Sequence, residues 1–216
     1  MNIQDPHHGQ PVLRQGPDPS AARLAVVLVH GRGGSAADML ALARELDVKD
    51  TAYLAPQAAG STWYPLSFLA PLADNEPDLS SALRVLYGLL GDLEAQQVPP
   101  ERIALLGFSQ GACLALEFAA RRPQRYAAIV GLSGGLIGPP GPPRRYSGSV
   151  GGAPVFLGCS DVDPHIPVER VHESSRVFRE LQGAVDERIY PRMGHAINAD
   201  ELDAVAALLA RGPSTR

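Results

Sequence analysis

Three side chains set far apart in the sequence are of the types that can turn an alcohol into a nucleophile: Ser109, an aspartate at 161 or 163, and His195. A serine hydroxyl attacks a carbonyl carbon only when a base removes its proton. An imidazole serves as that base when a carboxylate holds its other ring nitrogen and balances the charge it gains. Ser109 stands in Gly107-Phe108-Ser109-Gln110-Gly111, a G-x-S-x-G pattern. Glycine and serine are abundant, so the setting has to decide. The apolar run Ile103-Ala104-Leu105-Leu106 precedes the pattern and an Ala/Leu-rich stretch follows it as far as Arg121-Arg122-Pro123, which spells strand, sharp turn and helix. In such a turn the middle residue has strained backbone geometry and the positions two before and two after it crowd together, which glycine tolerates for want of a Cβ. The Ser109 hydroxyl then projects at the carboxyl end of the strand, and the N–H of Gln110 points the same way at the helix start.

The acid and the second oxyanion donor come from other loops. Asp161 and Asp163 follow the strand-like Val155-Phe156-Leu157, and both are placed to orient an imidazole. D-x-D-x-H is also compatible with a metal, but Pro164 and Pro167 stiffen the loop and no further ligands stand nearby, so no metal is assigned. Among six histidines, His195 alone follows nucleophile and acid at a strand end, on the Gly194 turn after ERIY. His30-Gly31-Arg32-Gly33-Gly34 follows LAVVLV, with a spacing that fits neither nucleotide-binding glycine pattern. Its backbone N–H groups, that of Arg32 foremost, are therefore assigned to hold a developing oxyanion opposite the Gln110 N–H. His30 reads as a structural histidine tying that loop, His7 and His8 as solvated surface, Ser133 as scaffold, and Cys113 and Cys159 as small buried thiols.

These groups need a scaffold, and the rest of the chain spells one. LAVVLV, TAYLA, IALL, YAAIVGL, VFL and ERIY read as strands, the first buried on both faces, with an edge strand near Val12-Leu13. Helices alternate with them. Ser35-Ala36-Ala37-Asp38 reads as a capping box, Asp78 caps a helix with Leu79, Ala82, Leu83, Leu86, Leu89, Leu90 and Leu93 on one stripe, residues 168–183 form another, and Asn198-Ala199-Asp200-Glu201 caps the last. This is an α/β pattern with a mostly parallel central sheet, helices on both faces and one domain over residues 1–216, of which 1–22 are partly irregular. Trp63, Tyr64 and Phe68 sit on a proline-broken loop, where they read as a satellite cluster packed beneath it, as an apolar wall of the nucleophile's pocket, or as both. Residues 138–152, with a small basic patch at Arg144, Arg145 and Tyr146, read either as a flap or as a surface connection.

At 216 residues, 45% hydrophobic and 19% charged, the chain has the composition of a soluble globule, and a net charge of −4 without a basic stripe argues against nucleic acid. Apolar runs are strand-sized and the N-terminus has no export signal, so no stable membrane insertion and a cytoplasmic location are expected. A homodimer is compatible with the sequence.

With these residues placed, the order Ser109, Asp163, His195 is that of α/β hydrolases. From about His7 to Leu209 the chain resembles the phospholipase/carboxylesterase family, which includes acyl-protein thioesterases. The resemblance rests on His30-Gly31-Arg32-Gly33, Ala55-Pro56-Gln57, Trp63-Tyr64-Pro65, the G-F-S-Q-G turn, Asp161-Val162-Asp163-Pro164-His165-Ile166-Pro167 and Gly194-His195. It implies an α/β-hydrolase fold without a large cap, Asp163 rather than Asp161 as the acid, and oxyanion donors at Arg32 and Gln110. It also implies a tryptophan near the site at Trp63 and a small-molecule ester substrate; Tyr64, Phe108, His165 and Ile166 are expected as further substrate contacts, and the reaction requires no cofactor. Thioesterases acting on lipidated proteins carry H-G-L-G-D where this chain has H-G-R-G-G, which brings it closer to the small bacterial esterases of the family.

Overall fold

The computed structural model describes residues 5–141 and 145–211. Its strands are β1 (Val12–Gln15), β2 (Leu24–Val29), β3 (Thr51–Pro56), β4 (Ile103–Phe108), β5 (Ala128–Leu132), β6 (Pro154–Ser160) and β7 (Ala184–Tyr190). Between them lie helices α1 (Ala36–Leu46), α2 (Asp78–Ala95), α3 (Gln110–Arg121), α4 (Val168–Glu180) and α5 (Ala199–Ala210). The strands form one seven-stranded sheet in the order β1-β3-β2-β4-β5-β6-β7, parallel except for β1, which pairs antiparallel with β3. The expected α/β-hydrolase architecture is thus present.

Alternation along the strands builds two cores. Ala25, Val27 and Val29 of β2 face the side covered by α2, α3 and α4, while Leu24, Val26 and Leu28 face α1 and α5. Ile103 and Leu105 of β4 turn to the first side, Ala104 and Leu106 to the second, so every residue of these runs is buried and a continuous apolar string results. The α2 stripe of Leu79, Ala82, Leu83, Leu86, Leu89, Leu90 and Leu93 packs on the first side as its spacing predicts. Burying each such leucine contributes roughly 1.5–3 kcal/mol.

Caps and ends differ from expectation in places. Both capping boxes form, Ser35 with Asp38 and Asn198 with Glu201. Asp78 is not a cap: Pro77 occupies that position without a side-chain bond, and the Glu76 carboxylate instead accepts the Ser80 N–H at 3.0 Å. Helix α4 stops at Glu180, because the Gly183 N–H turns back to Phe178 O and the chain is already entering β7. His7 is not solvated surface. It is buried, its Nδ1 accepts the Ala59 N–H at 3.1 Å and its Nε2 lies 3.0 Å from Trp63 O, because the N-terminal segment folds over the 59–63 loop; His8 is exposed. Of the basic patch, Arg144 lies outside the described residues, and Tyr146 donates to Glu117 Oε2 at 2.9 Å, which anchors the loop that follows it.

In this strand order the chain leaves β2 in one direction to reach β3 and leaves β4 in the other to reach β5, so the loops after β2 and β4 diverge and leave a crevice at the carboxyl edge. Register fixes what faces what there. Val29 pairs with Gly107, which sets His30 and Gly31 level with Phe108 and Ser109.

Candidate active site

Ser109 has φ 55° and ψ −122°, a conformation that a residue with a Cβ avoids and that costs on the order of 1–3 kcal/mol. It is held from both sides: its N–H donates to Leu132 O at 2.9 Å and its carbonyl accepts the Cys113 N–H at 3.0 Å. The flanking glycines are obligatory. A Cβ at Gly107 would overlap the Gly111 carbonyl oxygen, and one at Gly111 would overlap the Val29 carbonyl oxygen. Helix α3 therefore starts as close to β2 and β4 as backbone allows, and the serine hydroxyl stands above the sheet edge.

His195 meets that hydroxyl. Its Nε2 lies 2.8 Å from Ser109 Oγ and its Nδ1 lies 2.7 Å from Asp163 Oδ2. Since a carboxylate only accepts, the bond to Asp163 assigns the proton to Nδ1 and leaves Nε2 free to accept from the serine. The Asp163 side chain is fully buried, and its second oxygen accepts the N–H groups of His165 and Ile166 at 2.8 and 3.0 Å. Burial alone would raise its pKa, but these bonds and His195 outweigh burial and hold the carboxyl below the usual range. Asp161 has a different partner: its Oδ1 accepts the Arg192 N–H at 2.6 Å. Ser160 Oγ likewise accepts the Gly194 N–H at 3.0 Å, so the loop after β6 carries the turn that presents His195.

The loop after β2 supplies the other wall. The N–H of Gly33 donates to Ser61 O, that of Gly34 to Gly31 O and that of Ser35 to Asp38 Oδ2, whereas the Arg32 and Gln110 N–H groups meet no acceptor among the described residues. The loop passes so close to the nucleophile that a Cβ on Gly31 would fall 3.2 Å from Ser109 Cβ. His30 lies beneath, 1% exposed, with Nδ1 at 2.7 Å from Gly31 O and Nε2 accepting the Ala58 N–H at 3.1 Å; burial lowers its pKa and keeps it neutral. It ties the loop and is out of the proton path.

Arg32, Tyr64, Leu66, Phe68, His165 and Ile166 line an open cavity of about 410 Å³ over Ser109 and His195. Two residues expected on this wall are elsewhere. Trp63 is wholly buried, its indole N–H donating to His30 O at 2.9 Å with its ring 5.0 Å from that of His30, because its backbone N–H is pulled inward by Gln110 Oε1. Phe108 turns its ring against that of His195, 5.2 Å away, and packs toward the α1/α5 side, since alternation along β4 points it there. Cys113 lines the cavity one turn after Ser109, and Cys159 lies 3.8 Å from Asp163 Oδ2. Burial pushes both thiols up to about 12, which leaves them inert at neutral pH. Ser133 also has a positive φ, 48°, but is buried at the end of β5 and is part of the scaffold. No cluster of three or more metal-ligating side chains occurs among the described residues, and none of their helices is long and apolar enough to cross a membrane.

Two side chains were beyond the reach of sequence. The Arg32 guanidinium donates to the carbonyls of Tyr64, Pro65 and Leu66 at 2.8, 2.9 and 2.7 Å. Gln110 Nε2 donates to Tyr64 O at 2.8 Å while its Oε1 holds Trp63. Their acceptors are backbone groups of an aperiodic loop, which carry no residue-type signal.

Known proteins share this architecture. A profile of the family described as phospholipase/carboxylesterase matches residues 16–211. A crystal structure of a phospholipase/carboxylesterase from Dyadobacter fermentans superposes with a TM-score of 0.89 at 40% identity, covering 94% of this chain and 97% of that one. The crystal structure of esterase PE8 gives 0.75 at 31% identity over 94% and 97%. Acyl-protein thioesterase 1 of Saccharomyces cerevisiae is 25% identical over 218 residues, 90% of this chain and 95% of that protein.

Proposed function

The chain belongs to the phospholipase/carboxylesterase family, and from that premise we propose that it is a serine carboxylesterase acting on short- to medium-chain carboxylic esters through an acyl-enzyme. The observation that carries this reading is the continuous hydrogen-bonded path from Ser109 Oγ through His195 to the buried Asp163. Esterases and thioesterases among the relatives support the reaction class.

His195 Nε2 takes the hydroxyl proton as Ser109 Oγ bonds to the ester carbonyl carbon. Asp163, fixed by three donors, stabilises the imidazolium and keeps its ring in register. The carbonyl oxygen becomes an oxyanion facing the unspent N–H groups of Arg32 and Gln110, each worth roughly 3 kcal/mol in the transition state. His195 then gives its proton to the departing alkoxide, which leaves as the alcohol. Water enters, loses a proton to the same nitrogen, attacks the acyl carbon, and the acid leaves with Ser109 restored. A cavity of about 410 Å³ walled by Leu66, Phe68 and Ile166 suits acyl or aryl groups of modest size.

Hydrolysis of p-nitrophenyl acetate by the wild type and by Ser109→Ala tests this. A loss of about 10³-fold or more in the variant is expected; equal rates would leave a small-ligand receptor on a hydrolase fold. The likeness to acyl-protein thioesterase 1 favours a second reading, a thioesterase using the same groups. Matched oxygen and thiol esters of one acyl chain separate the two by their kcat/KM ratio.

A further inference from the structure

The cavity wall from Tyr64 to Phe68 has no regular structure of its own; short 3₁₀ turns flank it at Ala59–Ser61 and Leu72–Asn75. Side chains from outside hold it. Asn75 accepts the Leu66 N–H and donates to Ser67 O, Gln110 takes Trp63 and Tyr64, and Arg32 takes three successive carbonyls, 64 to 66. A guanidinium is the one side chain whose planar fork of donors can serve three carbonyls together.

Arg32 is thereby divided between two parts of the site. Its main chain belongs to the loop after β2, where the Gly33 and Gly34 amides are spent inside the protein and its own is not. Its head group belongs to the opposite wall, beside the cavity. A shift of the wall pulls on the loop that passes against Ser109 at Gly31, and a shift of the loop loosens the wall.

We propose that Arg32 is a positioning and specificity residue: its guanidinium straps residues 64–66 across the cavity, limits the acyl chain that fits, and sets the loop that presents its own N–H to the oxyanion. The catalytic half of this inference rests on the esterase reading above; the strap itself does not.

Arg32→Leu and Arg32→Lys test it, both at an exposed side chain whose replacement leaves the core intact. With p-nitrophenyl esters from acetate to octanoate, the ratio of kcat/KM for octanoate over acetate should rise about tenfold in both variants, through a lower kcat on acetate and a lower KM on octanoate. Lysine keeps the charge but not the fork, so wild-type behaviour in Arg32→Lys would overturn the strap, as would an unchanged chain-length ratio in Arg32→Leu. Trp63, the one tryptophan in the chain, adjoins Tyr64 and gives a readout independent of turnover. Acrylamide quenching of its fluorescence and hydrogen exchange at Leu66 and Leu69 should both increase in the variants, exchange by about tenfold; no change in either would overturn the proposal even where no ester is hydrolysed. Absence of turnover in the wild type would instead sink the esterase reading and leave these two measurements to judge the strap.

Discussion

Asp161 accepts the Arg192 N–H at 2.6 Å, so the aspartate two residues before the one that meets His195 holds the turn on which His195 stands. The two carboxylates divide the work, one on the imidazole and one on its loop. Asp163→Asn should cost about 10³–10⁴-fold in kcat, because an amide at Nδ1 favours the wrong tautomer. Asp161→Ala should cost only about tenfold and Asp161→Asn, which keeps an accepting oxygen, almost nothing. Steady-state kinetics of the three variants decide it, and similar losses at 161 and 163 would contradict this division.

Trp63 and Leu66 are three residues apart and act on different steps. Trp63→Phe leaves His30 O without its donor beneath the loop after β2, so kcat should fall while KM for a short ester stays put. Leu66→Ala removes half-exposed cavity wall, so KM should rise with kcat nearly unchanged. The reverse pattern would return Trp63 to the wall.

Glu201 is wholly buried at the start of α5; one oxygen accepts the Asn198 N–H at 2.9 Å and the other meets no hydrogen-bond partner among the described residues. Burial, with Asp200 nearby, raises its carboxyl to about 7. Between its ordinary value near 4.5 and about 7 the folded protein keeps a proton that the unfolded chain has lost, so stability falls as pH rises through that window. Asp163 works the other way at the acid end: its depressed carboxyl contributes stability above its ordinary value near 3.8 that is lost on further acidification. Glu201→Gln, uncharged throughout and still suited to the capping box, should match the wild-type Tm at pH 5 and exceed it by a few degrees at pH 8. Thermal melts at the two pH values give the answer, and a variant less stable at both would refute it.

Gly111 and Gly88 make a contrast in tolerance. An alanine at 111 must push α3 away from the Val29 and His30 carbonyls and should cost at least ~3 kcal/mol or abolish soluble expression. At exposed Gly88 in α2 a Cβ meets nothing within 4 Å, so Gly88→Ala should stabilise by roughly 0.5–1 kcal/mol. Denaturant titration of both measures the difference.

Much of this was readable from residue order. Uninterrupted apolar runs gave the strands because a sheet covered on both faces leaves no polar position, and the crowding at Gly107 and Gly111 followed from the turn type alone. Three side chains at three strand ends could meet because parallel strands bring their carboxyl ends to one edge. Directions on irregular loops were not readable. Nothing in Trp63-Tyr64-Pro65-Leu66 says that the indole and the phenol ring both turn inward while Leu66 is left on the cavity wall, since no period fixes a face there. His7 escaped for a related reason: its partners are a backbone N–H and a carbonyl more than fifty positions away, set only once the terminus has folded back.

That contact has a practical meaning for anyone handling the protein. The segment around His7 is a prop under the floor of the reaction site, bearing on the same Trp63 that carries the loop after β2. An affinity handle spliced close to residue 5 would crowd that prop, and trimming to residue 9 would remove it, so additions belong at the other terminus, beyond α5.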